Sequence, residues 1–97
     1  MLTVNHTATA TGGSFSAGDG GLRMGYLSYE WASPEVFAIM HTVVEEPYRG
    51  QGIAKALLDA AVAFARENGY KIRPVCPYVE KVFSRSQEYD DVSTIKR

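Results

Sequence analysis

Three short stretches hold residues whose types and spacing could do chemistry. Between an apolar run and a helical pattern stands Arg49-Gly50-Gln51-Gly52-Ile53-Ala54. A turn without Cβ atoms at the start of a helix leaves backbone N–H groups unpaired and pointing outward at the positive end of the helix dipole, a ready site for phosphate oxygens. The plain alternative is a tight strand-to-helix connection. His41 lies in the apolar run ahead of this loop, and imidazole is the usual proton acceptor at neutral pH. Cys76 stands directly before Pro77-Tyr78, and a proline at that point can open a helix. A helix N-terminus stabilises a thiolate, so Cys76 is a candidate nucleophile; equally, a free cysteine is commonly a small buried apolar residue.

The elements that must position these residues follow from periodicity. Leu2 to Val4 fits a short strand, whereas "TATATGGSFSAGDGG" offers little to bury and reads as a weak strand or mobile turn region. Phe15 is its one strong anchor, Asp19-Gly20 marks a hairpin turn, and His6 is expected to be exposed. Leu22 to Trp31 reads as a strand ended by Ala32-Ser33-Pro34, and Glu35 to Val44 as a more deeply buried strand paired antiparallel with it. From Gly52 to Asn68 the period becomes helical. Ile53, Leu57, Ala60, Ala61 and Phe64 share one face, with Lys55, Asp59, Arg66 and Glu67 opposite, and Gly69 provides the stop.

Tyr70 to Cys76 is a second strand after that helix, so strand, helix and strand form a crossover unit with a parallel pair. Pro74 puts this strand at an edge or splays it from its neighbour. A final short helix runs from Pro77 to about Ser86, with Val79, Val82, Phe83 and Ser86 on one face, and "QEYDDVSTIKR" reads as a tail with little to bury, pinned by Tyr89.

Ninety-seven residues without a linker or repeat imply one domain over 1–97. Ten Lys and Arg against eleven Asp and Glu give no global field to attract nucleic acid or an anionic membrane. One cysteine and no His-rich cluster leave neither an intramolecular disulfide nor a structural zinc site, so no metal is expected. With no leader pattern and no apolar run long enough to cross a bilayer, the expectation is a cytoplasmic protein.

Two familiar phosphate loops do not fit. A P-loop needs Lys and then Ser or Thr after its last glycine, where this chain has Ile53-Ala54. A dinucleotide fingerprint needs a third small residue where Lys55 stands, and a longer chain. The Arg49 to Ala54 run instead resembles the R/Q-x-x-G-x-G/A loop of the GNAT (Gcn5-related) N-acetyltransferase superfamily. With His41-Thr42, Pro74-x-Cys76-x-Tyr78-Val79 and Glu88-Tyr89, the chain is similar to the small, minimal single-domain members from about Leu22 to Tyr89. Ser86-Gln87 stands where those relatives more often carry His-Pro, and the Gly-rich N-terminal segment also departs from them.

The resemblance implies an α/β fold with a mixed, mostly antiparallel sheet, a long helix after the pyrophosphate loop and a short C-terminal helix. It implies acetyl-CoA as cosubstrate and transfer of acetyl to an unidentified amine. Backbone groups of Val43 and Val44 would pair with the pantetheine amides; Gly50, Gln51, Gly52, Ile53 and Ala54 would face the pyrophosphate, with Arg49 adding charge. His41, on the strand face of Val43, would be the general base, or else a histidine satisfied within the core. Cys76 would be a nucleophile or the small buried residue already noted, and Tyr78 a proton donor to the leaving thiolate or an ordinary packed ring. Glu45 and Glu46 are a water-mediated base or, more plainly, a solvated pair. A non-catalytic CoA-binding or interaction module is the competing reading, because the C-terminal strands that shape the acceptor pocket of larger relatives are missing.

Overall fold

A computed structural model describes residues 1–95. Five strands lie in the order β1-β2-β3-β4-β5: Thr3–Ala8, Gly12–Asp19, Leu22–Ser33, Val36–Val44 and Lys71–Pro74. The first four pair antiparallel and β4 pairs parallel with β5, so the sheet is mixed and mostly antiparallel as expected. Helix α1, Ile53–Asn68, makes the crossover from β4 to β5, and α2, Pro77–Arg85, follows β5. Proline at position 74 falls at the end of the edge strand β5, where its missing N–H costs no ladder bond.

The sheet has one covered and one open face. Phe15, Leu27, Tyr29, Phe37 and Ile39 share a single core with Leu57, Leu58, Ala61 and Ala65 of α1 and Val79 and Phe83 of α2. Residues that alternate with these on β2 and β3 (Ser14, Ser16, Tyr26, Ser28, Glu30) are none of them buried. Burying apolar side chains on one face at roughly 25 cal/mol per Å² is what holds the helices to the sheet.

Two expectations are corrected. The segment read as a weak strand or mobile turn region forms two full strands, with β1 and β2 in register from Thr3↔Gly18 to Ala8↔Gly13. Its glycines are packing devices: a Cβ on Gly12 would lie 2.1 Å from the Tyr29 carbonyl oxygen, so only glycine lets β2 approach β3 there. Phe15 is its anchor as expected, joined by buried Ala17. His6 is exposed as expected, yet its ring stacks on Phe15 at 4.2 Å, meets Phe64 edge-on at 4.6 Å, and holds Tyr29 Oη at 2.6 Å through Nε2. Partial burial pushes the imidazole below its usual range and raises the Tyr29 phenol.

The second correction concerns the tail, which Tyr89 pins as expected but which has more to bury than its polar run suggests. Tyr89 and Val92 are buried, Tyr89 stacks on Phe83 at 5.2 Å, and the chain then runs beside β5. There Ile72 N–H donates to Val92 O and Thr94 N–H to Ile72 O. Arg66 of α1 clamps the turn by hydrogen bonds to the Asp91 carboxylate and the Glu88 carbonyl. The tail covers what would otherwise be a bare strand edge.

Candidate functional site

The site begins with a one-residue irregularity in β4. Ile39 pairs with Tyr29 and His41 with Ser28, so Met40 is an extra residue, a β-bulge. Without it, strict alternation would aim His41 at the core; with it, Thr42 stands opposite Leu27 on the helix face. His41 and Val43 are exposed toward the open face, consistent with the shared side expected of them.

At the same point β5 leaves β4. Their parallel pairing ends at Ile39↔Pro74, and the N–H groups of both Val75 and Cys76 converge on the Ile39 carbonyl, at 3.2 and 2.8 Å. β4 from Met40 to Val44 therefore has no strand on its β5 side, and the backbone groups there, apart from the Val44 carbonyl, are open to an extended ligand. The expectation of a strand apolar on both faces holds for Phe37 to Ile39 and fails beyond the bulge.

The cleft so formed, of about 520 Å³, is lined by Thr42, Val43 and Val44 of β4, by Arg49, Gly50 and Gly52 of the loop, by Ile53, Ala54 and Lys55 of α1, and by Tyr78 of α2. Gly50 and Gly52 have φ of +82° and +79°, a region closed to most L side chains. Gly52 caps α1, and the first intrahelical bond runs from Ala56 N–H to Gly52 O at 3.0 Å. The amides of Ile53, Ala54 and Lys55 thus have no intrahelical acceptor. No side chain caps them and the first turn carries no acidic residue, so the helix dipole is not offset locally. Arg49 donates from Nε to the Val44 carbonyl at 3.2 Å, tying the loop to the end of β4.

Of the residues singled out from sequence, Val43, Val44, Arg49, Gly50, Gly52, Ile53, Ala54 and Tyr78 come together here; Gln51, His41 and Cys76 are not among the lining residues. Burial is the main cause that raises the Tyr78 phenol above its usual range, so it keeps its proton at neutral pH. Cys76 is buried behind the cleft as the cap of α2, and its Sγ donates to Thr42 Oγ1 at 3.5 Å. Thr42 is thus the side chain between the thiol and the cleft. Sequence reasoning missed Thr42 and Lys55. Thr42 follows from the bulge, which has no sequence signal here, and Lys55, exposed on α1 as expected, also lines the cleft because it stands in the first turn of the helix.

The arrangement separates two approaches. A ligand along the free edge of β4 would reach phosphate-binding amides at one end and the Thr42, Tyr78 and Cys76 groups at the other. A second reactant arriving over the open face would meet His41. Among the described residues no helix is long and apolar enough to cross a membrane.

Comparison with known proteins agrees with this geometry. Residues 14–92 match the family model described as GCN5-related N-acetyl-transferase. Protein NATD1 of Gallus gallus is 40% identical over 55 residues, 57% of this chain and 50% of that protein. NATD1 of Homo sapiens is likewise 40% identical over 55 residues, 57% and 49% of the two chains. The chain spans about half the length of the curated relatives it matches. A GCN5-like protein of Staphylococcus aureus superposes with a TM-score of 0.75 at 28% identity, over 100% of this chain and 94% of that one. A GNAT family acetyltransferase of Elizabethkingia anophelis, solved with acetyl-CoA bound, gives a TM-score of 0.64 at 17% identity, over 73% and 62%. At that identity the likeness is one of fold.

Proposed function

The chain belongs to the GCN5-related N-acetyltransferase family, and we propose that it binds acetyl-CoA in the cleft beside β4 and transfers the acetyl group to an amine of a small molecule or protein. The observation that carries this reading is the free stretch of β4 running into the two left-handed glycines at the start of α1. Pantetheine is an extended chain bearing two amides, which backbone groups on the free edge of β4 around Val43 and Val44 are suited to pair with as a strand would, the Val44 carbonyl exchanging its Arg49 Nε contact for the ligand. The amides of Gly50 to Ala54 then take the pyrophosphate, with Arg49 beside them.

Acyl transfer from a thioester needs a deprotonated amine, donors for the developing oxyanion and a proton for the leaving thiolate. In this reading His41 removes the proton from an amine that approaches over the open face. Tyr78, protonated and in the cleft, gives one to the thiolate. The Cys76–Thr42 contact keeps a second route in view, in which Cys76 is first acetylated and then passes the group to the amine. Its burial supports direct transfer, because Sγ must rotate past Thr42 to meet a thioester. A lone free cysteine suits a reducing compartment, and on that ground we place the protein in the cytoplasm.

Thermal shift with coenzyme A, thiol release from acetyl-CoA with a panel of amines, and intact-mass measurement on wild type and Cys76→Ala together test this function. The expected results are stabilisation, since a ligand that binds only the folded state must stabilise it, amine-dependent thiol release, and turnover retained in Cys76→Ala. An acetyl adduct on wild type that disappears in the variant together with turnover would move the chemistry to Cys76. Stabilisation without turnover on any amine would leave a coenzyme A-binding module.

A further inference from the structure

The two edges of the sheet are guarded unequally. β5 carries Lys71, Arg73 and Pro74, and the tail runs beside it, hydrogen-bonded through Val92 and Thr94 to Ile72. β1, at the other end of the strand order, pairs only with β2 among the described residues. Charged side chains, prolines and covering segments are the ordinary means by which a protein keeps a bare edge from pairing with another chain. From Leu2 to Gly18 the sequence has no charged residue and no proline. Burial holds His6, the one titratable side chain on β1, below its usual range, so it is neutral at pH 7.

The turn after β1 fixes which backbone groups face outward. Thr9 N–H donates to Gly12 O across that turn at 2.8 Å. Bonded residues alternate in an antiparallel pair, so Thr7, Asn5 and Thr3 bond inward to β2. Ala8, His6 and Val4 therefore turn their N–H and C=O groups to the free edge, and Leu2 continues the alternation with a large apolar side chain left 40% exposed.

We propose that this edge is covered by the β1 strand of a second copy of the chain, antiparallel about a two-fold axis through Asn5. Outward groups can pair only with outward groups, so the axis must fall on a residue and not between two. An axis on Val4 leaves Ala8 without a partner in β1; an axis on His6 carries Leu2 past the strand and sets two imidazoles side by side. The axis on Asn5 uses all four outward residues: Leu2 meets Ala8 of the second copy, and Val4 meets its His6. On the open face Thr3 stands opposite Thr7 of the copy, a favourable cross-strand pair, and Asn5 opposite Asn5. No like charges meet, and the symmetry repeats each contact.

The axis stands perpendicular to the sheet, so both copies keep their helices on the same side. Helix α1 lies over β2, β3 and β4 more than over β1. The two α1 helices are then roughly 20 Å apart, about four strand spacings, and clear one another at a helix diameter of about 10 Å. The open faces of the two copies join into one.

Light scattering on wild type and Asn5→Lys, with oxidative cross-linking of Asn5→Cys and Thr7→Cys, tests the pairing. Facing residues of a non-bonded antiparallel pair have Cα atoms about 4.5 Å apart, inside disulfide range. Asn5→Cys should link two chains, with Cys76 buried and out of reach. Thr7→Cys should not, because its equivalent lies roughly 13 Å along the strand. Wild type should have the mass of two chains. Asn5→Lys, which sets two ammonium groups face to face, should have the mass of one, with an unchanged circular dichroism spectrum. A single-chain mass for wild type would overturn the proposal and leave the edge to another extended chain. So would a dimer indifferent to Asn5→Lys whose Asn5→Cys form does not link, or a link formed by Thr7→Cys and not by Asn5→Cys.

Discussion

His41 and Cys76 stand on opposite sides of β4, and that sorts their roles. Exposed on the open face, His41 can reach a proton without touching the cleft. His41→Gln should therefore lower kcat/KM for acetyl transfer by about 10²-fold or more, the ordinary share of a general base, while affinity for coenzyme A stays within a factor of two. A parallel loss of affinity would put His41 in the binding cleft instead. His6 governs a different property. Its imidazole is held below its usual range by burial among Phe15, Phe64 and Tyr29. The unfolded chain therefore binds this proton more readily than the folded one. Its contribution to stability is complete above the unfolded value of about 6.5 and is lost as pH falls through the lower folded value. Melting temperature should rise with pH up to about 6.5 in wild type, and His6→Phe, which retains the ring stacking, should flatten that rise. An unchanged slope in the variant would assign it to other groups.

The β4-loop-α1 unit carries the site, and its glycines were legible in the sequence because the Gly-x-Gly stands between an apolar run and a helical period and sits within the Arg49 to Ala54 run that resembles the family's loop. The bulge was not: Met40 is neither glycine nor polar, and only the register of β3 against β4 reveals it. For the same reason Thr42 could not be seen as the residue between Cys76 and the cleft. A Cβ on Gly52 meets nothing within 4 Å, so Gly52→Ala is strained by its backbone and not by crowding. It should cost roughly 1–2 kcal/mol, the penalty of a left-handed L residue, seen as a melting temperature lower by about 4–16 °C for a domain of this size. The added methyl would also stand beside the ligand-binding amides, so affinity for coenzyme A should drop about tenfold or more. Undiminished affinity would move the pyrophosphate away from this loop.

At the scale of the molecule, five strands carry both helices on one face and leave the other bare. The helical half was readable because α1 repeats apolar residues at helical spacing and ends at Gly69. The N-terminal strands were not, because Gly12 and Gly13 look like turn residues and are in fact the close approaches that let β2 nest against Tyr29. Tyr89 was legible as the pin of the tail, but the docking of Val92 was not, since it is a short apolar side chain in a polar run and only the edge of β5 gives its backbone a partner. The open face gives the acceptor its approach, and the split between β4 and β5 gives the cosubstrate its bed. Titration of ¹⁵N-labelled protein with coenzyme A, followed amide by amide, tests that division most directly. The largest shifts should fall on Val43, Val44 and Gly50 to Ala54, with β1 and β2 unmoved; shifts confined to other strands, or none at all, would contradict it.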